Sequence, residues 1–137
     1  MGRKALLIGL NVYSFIASPS KSPALANLEA FKSVLQSNIG QFQEEDIETL
    51  INPDAQQMRQ AVERLSSHCR PYDLRLLYFC GIGLIDPLSN RFYLAGYDTQ
   101  PLNLFNTAIS DGLIQALLSS SHCRQQVVIL DGLWGHA

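Results

Sequence analysis

Runs of consecutive apolar residues, rather than alternating ones, constrain the fold of this chain most. Residues 4–10, 74–79 and 127–130 are such runs, and continuous short runs are typical of strands that are covered on both faces. Segments with apolar residues at helical spacing lie between them, one after Asp54 and another after Ser110, both of which are good helix caps. A shorter strand is predicted at residues 47–51 and a small hairpin at residues 91–96. This alternation predicts an α/β fold with a mostly parallel sheet between two helix layers.

The strand ends indicate where a site would lie, because ligands of such sheets bind at the carboxyl ends of the strands. Gly81 and Gly83 are expected to end the third strand. The segments that leave the strands are then residues 11 onward, 80–84 and 131–137. The first of these has neither GxGxxG nor GxxxxGK[ST], so no nucleotide is expected there, and no cofactor is predicted.

Charge and hydropathy exclude several classes of partner. The chain has 10 Lys and Arg against 12 Asp and Glu, with no basic cluster, so nucleic acid and anionic membranes are not expected as partners. The apolar runs are far shorter than the roughly 18 to 20 residues that cross a bilayer. No secretory signal is apparent at residues 1–10. The chain has only three cysteines, a small and odd number that does not suggest a disulfide framework. A cytoplasmic protein with reduced thiols is therefore predicted.

Five segments together resemble a known family. They are KALLIGLNVYSF at 4–15, DLRLLYFCGIGL at 73–84, RFYLAGYDT at 91–99, AISDGLIQALL at 108–118 and VVILDGLWGHA at 127–137. In this order they resemble the caspase-like cysteine peptidases, above all the metacaspases and orthocaspases of the bacterial, plant and fungal branch. The resemblance covers the large-subunit half of that domain. It implies one caspase-like domain over residues 1–137, a three-layer α/β sandwich with strand order 2-1-3-4 that ends after the fourth core strand.

The same resemblance places the catalytic dyad of the family on this sequence. In the family, a histidine between two glycines after the third strand is the general base, and a cysteine two residues after an aspartate is the nucleophile. Gly81 and Gly83 match here, but the histidine position is Ile82; Asp131 matches, but the cysteine position is Leu133. Because neither alkyl side chain can carry a proton or attack a carbonyl, no catalytic residue is retained.

The resemblance thus implies a catalytically inactive caspase-like domain, a pseudo-peptidase that acts as a binding or regulatory module. One alternative is a cysteine endopeptidase that cleaves after Arg or Lys, with Cys80 and His136 as an exchanged pair. A truncated remnant without activity is the other alternative. Asp131 and Asp98 match stretches of the family's substrate pocket and imply an acidic site for a basic side chain, unless they only end a strand and occupy a loop.

Two further features concern metal and protein partners. The pentapeptide SSHCR occurs at 66–70 and again at 120–124. Two His and two Cys can bind zinc, but adjacent His and Cys do not easily converge on one ion, so two helix-ending loops are expected instead and no metal is predicted. The last apolar run should form a sheet edge, and an uncovered apolar edge favours an added strand. A protein partner is therefore predicted: an active caspase-like homologue, another strand-adding chain or a second copy.

Overall fold

The computed structural model describes residues 2–17 and 23–136 and contains one six-stranded sheet. Its strands are β1 (Arg3–Gly9), β2 (Ile47–Ile51), β3 (Leu74–Ile85), β4 (Phe92–Ala95), β5 (Ala108–Ser110) and β6 (Gln125–His136). The helices are α1 (Ala24–Gln36), α2 (Ala55–Ser66), α3 (Leu104–Thr107) and α4 (Asp111–Ser119), with a 3-10 turn at Glu44–Asp46.

Four of the strands are parallel and lie in the order β2-β1-β3-β6, which confirms the predicted order 2-1-3-4. β6 pairs with one edge of β3 along its whole length, from Leu74 to Ile85. The other edge of β3 pairs first with β1 and then, from Gly83 to Ile85, with the antiparallel strand β4. β5 continues this antiparallel extension.

Helices cover both faces of the sheet, as predicted for a three-layer sandwich. Alternate residues of β1 point to opposite sides, so Leu6 and Ile8 pack with α2 and α4, whereas Leu7 packs with α1 around Leu28. Phe79 of β3 is fully buried on the α2 and α4 side. This double cover explains why the strands are apolar without alternation.

The helices α2 and α4 begin where the capping residues Asp54 and Ser110 predict. Asp54 accepts a hydrogen bond from the Gln57 backbone N–H at the start of α2, and Ser110 accepts one from Leu113 at the start of α4. The longest helix, α1, has 13 residues, compared with about 20 for a membrane span. Within residues 2–17 and 23–136, no helix is long and apolar enough to cross a membrane.

β3 and β6 are both longer than predicted. β3 does not end at Phe79 but continues through Gly81 and Gly83 to Ile85, and β6 continues through Asp131 to His136. The two strands pair residue by residue over this extension, so each supplies the hydrogen bonds that keep the other extended. The prediction that residues 80–84 and 131–137 are loops is therefore wrong for every described residue of these segments.

The prediction that all thiols are reduced is also wrong. Cys69 and Cys123 form a disulfide, with a Cα–Cα distance of 5.3 Å, and only Cys80 is free. The bond joins the loop after α2 to the loop after α4 and so brings the two SSHCR segments together at the amino-terminal edge of β3 and β6. Among the residues that the structure describes, no three His, Cys, Asp or Glu side chains cluster in a way that could hold a metal ion.

Candidate functional site

The two positions matched to the catalytic dyad lie side by side. Ile82 of β3 and Leu133 of β6 are register partners on neighbouring parallel strands, next to the paired glycines Gly81 and Gly132. Ile82 is half-buried, whereas Leu133 is 68% exposed. Side chains at paired positions of parallel strands leave the same face, so these two positions are neighbours in space as well as in register. Both positions carry alkyl side chains, so the surface they form is apolar.

Tyr13, in the loop after β1, holds this part of β3 in place. The Ile82 backbone N–H donates a hydrogen bond to the Tyr13 hydroxyl oxygen over 2.8 Å. Burial raises the pKa of Tyr13 above its ordinary value, so the phenol stays neutral. Its loop is fixed by the Asn52 side chain, whose oxygen accepts from the backbone N–H groups of Asn11 and Val12.

No pattern in the sequence directly indicates this role of Tyr13, although Gly81 is a hint. A Cβ at Gly81 would lie 2.6 Å from the Tyr13 hydroxyl, so only glycine leaves room for it. Gly83 has a similar role, because a Cβ there would overlap the indole ring of Trp134. Trp134 also packs against Phe92, with ring centroids 5.1 Å apart. Two aromatic side chains thus occupy the space beside the dyad positions.

Cys80 and His136 are far apart along the paired strands. Cys80 pairs with Asp131, and His136 lies five residues further along β6, opposite Ile85. At ~3.3 Å per residue this separates the two backbone positions by about 16 Å, beyond the reach of a hydrogen bond between a cysteine and a histidine side chain. Cys80 is 2% exposed, and burial raises the pKa of its thiol. A buried neutral thiol is a poor nucleophile.

Asp131 and Asp98 contact different helices. Asp131 is exposed, accepts a hydrogen bond from the Tyr78 hydroxyl and lines a shallow cavity of about 340 Å³ beside α1. Asp98 accepts a hydrogen bond from the Ala55 backbone N–H at the start of α2, over 3.0 Å. Since α1 and α2 cover opposite faces of the sheet, the two carboxylates do not line one cavity. Asp131 is the carboxylate that faces an open groove.

The surface of β6 is apolar and largely uncovered. Its large exposed apolar side chains are those of Val127, Val128, Leu130, Leu133 and Trp134. Val128 and Leu130 also line a cavity of about 190 Å³ against α4, with Ile114 and Leu118. In the part of the chain that the structure describes, no strand pairs with the outer edge of β6. An apolar strand with an open edge is a surface suited to strand addition.

The parallel order β2-β1-β3-β6 between helix layers, with the candidate site toward the carboxyl ends of the neighbouring strands β3 and β6, defines an α/β protein of the caspase-like fold. The chain belongs to the caspase domain family: a sequence model of that family matches residues 2–132. A comparison with curated protein sequences found no match.

Solved structures share the fold. One is the crystal structure of a protein from Geobacter sulfurreducens, which superposes with a TM-score of 0.73 at 17% sequence identity. The alignment covers 96% of this chain and 50% of that chain. The chain therefore spans about half the length of that protein. At this identity the likeness concerns the fold alone.

Proposed function

We propose that this caspase domain is catalytically inactive and serves as a binding or regulatory module. The observation that carries the proposal is the pairing of Ile82 with Leu133 at the two positions matched to the family's base and nucleophile. Neither side chain can transfer a proton or form a covalent intermediate. Loss of either member of such a pair lowers the rate by orders of magnitude, and here both are replaced.

The alternative, an endopeptidase that cleaves after Arg or Lys, finds support in one feature only. Asp131 presents an exposed carboxylate that could contact a basic side chain. Its catalyst would have to be Cys80, which is buried and separated from His136 by five residues of paired strand. A remnant without any role is the remaining alternative, and a specific protein partner would argue against it.

The protein is expected not to cleave an Arg-containing fluorogenic peptide. Its rate should be at least about 1,000-fold below that of an active metacaspase-like enzyme, because no thiolate and base are brought together. The Cys80→Ala variant is the control and should give the same background signal. Cleavage that disappears in Cys80→Ala would establish the peptidase alternative and overturn the proposal.

A second experiment tests whether the two dyad positions face each other. In an I82H/L133C variant, the new imidazole and thiol would be register neighbours on one face of the sheet. A neighbouring imidazole lowers the pKa of a thiol, so iodoacetamide should alkylate this variant about tenfold faster near pH 7 than L133C alone. Equal rates would show that the two positions do not face each other.

We further propose that the outer edge of β6 binds an extended strand of another protein chain, which could be a caspase-like homologue or a second copy. Exposed apolar side chains on both faces of β6 and the open edge support this. The last strand also has few charges to discourage pairing, Asp131 being the only Asp, Glu, Lys or Arg within Gln125–His136.

Light scattering of the purified chain tests the strand-addition surface. We expect concentration-dependent association, and a lysine on the exposed strand, in Val128→Lys, should reduce it because the charge would be buried at the new edge. Leu102→Lys is the matched control, since Leu102 is fully exposed at 100% outside the sheet. A stable monomer at high concentration, with no difference between the variants, would contradict self-association through β6.

A further inference from the structure

A second concave site lies away from the dyad positions. It is a cavity of about 570 Å³ between α2, the strands β4 and β5, and the start of α4, lined among others by Arg59, Arg91, Tyr93 and Phe105. Neither Ile82 nor any other position matched to the family's catalytic or substrate-binding residues lines it. Small-molecule sites in proteins usually measure roughly 300 to 1,000 Å³, so this cavity has the size of one.

The cavity is positively charged although the chain as a whole carries a net charge of −2. The guanidinium groups of Arg59 and Arg91 form neither an ion pair nor a side-chain hydrogen bond with another described residue. No carboxylate lines the cavity. Two arginines without a carboxylate partner at one cavity favour a doubly charged anion, and the fork geometry of guanidinium groups suits phosphate oxygens.

Arg91 reaches the first turn of α4, where its Nη1 atom lies beside Gly112. The N–H groups of this turn already have partners, because Gly112 donates to the Asp111 carboxylate and Leu113 donates to the Ser110 hydroxyl. An anion in the cavity would therefore bind through the guanidinium groups and not through the helix end.

Tyr93 adds a further polar group to the lining. Its side chain lines the cavity and is 3% exposed, so the ring is held in place by its neighbours. A phenol hydroxyl can donate a hydrogen bond to a phosphate oxygen. Tyr93 is therefore a third side chain, beside the two arginines, that a bound phosphate would contact.

The other residues that line the cavity indicate the chemical character of the rest of the ligand. Phe105 of α3 is 79% exposed and Leu113 of α4 is half-buried, so the cavity offers an aromatic and an apolar surface beside the charged groups. We propose that this cavity binds a small organic phosphate, with its phosphoryl group between Arg59 and Arg91 and an aromatic or apolar body against Phe105. This inference does not depend on whether the dyad is inactive.

Phenyl phosphate is the probe for this site, titrated into the full chain by calorimetry, with inorganic phosphate, benzoate and phenol as its partial analogues. We expect phenyl phosphate to bind at least about fivefold tighter than inorganic phosphate or benzoate, and phenol not to bind. R59Q and R91Q should each weaken binding about tenfold or more, since each removes a charge-assisted hydrogen bond. Tyr93→Phe should weaken it severalfold.

R124Q is the matched control. Arg124 is exposed and lies outside the cavity, and its substitution changes the net charge of the protein by the same amount as R59Q or R91Q. It should bind phenyl phosphate as the unchanged protein does. The proposal is overturned if phenyl phosphate does not bind at millimolar concentration, or if R124Q loses as much affinity as R59Q and R91Q. Tighter binding of benzoate than of phenyl phosphate would overturn the assignment to phosphates. The arginine side chains lie at the cavity surface, and thermal unfolding checks that each variant is folded.

Discussion

Removal of the disulfide between Cys69 and Cys123 is expected to lower the free energy of unfolding by about 2–4 kcal/mol. The bond spans 54 residues of sequence, and a cross-link over a loop of that length strongly restricts the unfolded chain. It also lies just before β6, whose side chains Val127, Val128 and Leu130 are partly exposed. The loss should therefore fall chiefly on the docking of β6 against β3.

Urea unfolding of a C69S/C123S variant measures this effect, with a reductant added to the unchanged protein as a second route to the same state. The reductant should have no further effect on the variant, which serves as the control. Alkylation of the unfolded, unreduced protein should modify one thiol, that of Cys80, rather than three. Three modified thiols and an unchanged midpoint would show that the bond does not form. Formation of this bond would argue against the predicted cytoplasmic location, because persistent disulfides are rare in a reducing cytosol.

Gly132→Ala is expected to destabilise the protein by about 2–4 kcal/mol. Gly132 has a φ of +141°, a region that residues with a Cβ rarely adopt, and an added Cβ would collide with the carbonyl oxygen of Gly81 on the paired strand. The backbone of β6 would have to move away from β3 at this point. Because Gly132 directly precedes Leu133, the change would also displace the position matched to the family's nucleophile.

Gly135→Ala in the same strand is the matched control. A Cβ at Gly135 would meet nothing within 4 Å, so its effect should stay within about 0.5 kcal/mol. Denaturant unfolding of both variants, compared with the unchanged chain, gives the two differences. Equal stabilities of the two variants would contradict the close approach of Gly132 to Gly81.

The layered fold could be predicted because its signals are local. The apolar run of β1 and the caps at Asp54 and Ser110 each indicate an element from a few neighbouring residues, and all three elements form where expected. The parallel order followed from this alternation together with the family resemblance. The ends of β3 and β6 could not be predicted in the same way, because glycine within a short window indicates a break. Only the pairing of Gly81 with Gly132 on a distant strand keeps both segments extended.

In the candidate site, too, some features could be predicted from local sequence and others depend on contacts between distant residues. From the sequence alone, the resemblance to the caspase-like peptidases predicts that Ile82 and Leu133 occupy the dyad positions, and this prediction depends only on the identity of residues within a motif. The tertiary structure decided that these positions are paired neighbours, that Tyr13 holds Ile82, and that Cys69 meets Cys123. Each of these contacts joins residues more than fifty positions apart. Chain folding sets such contacts, and no local pattern of residues encodes them.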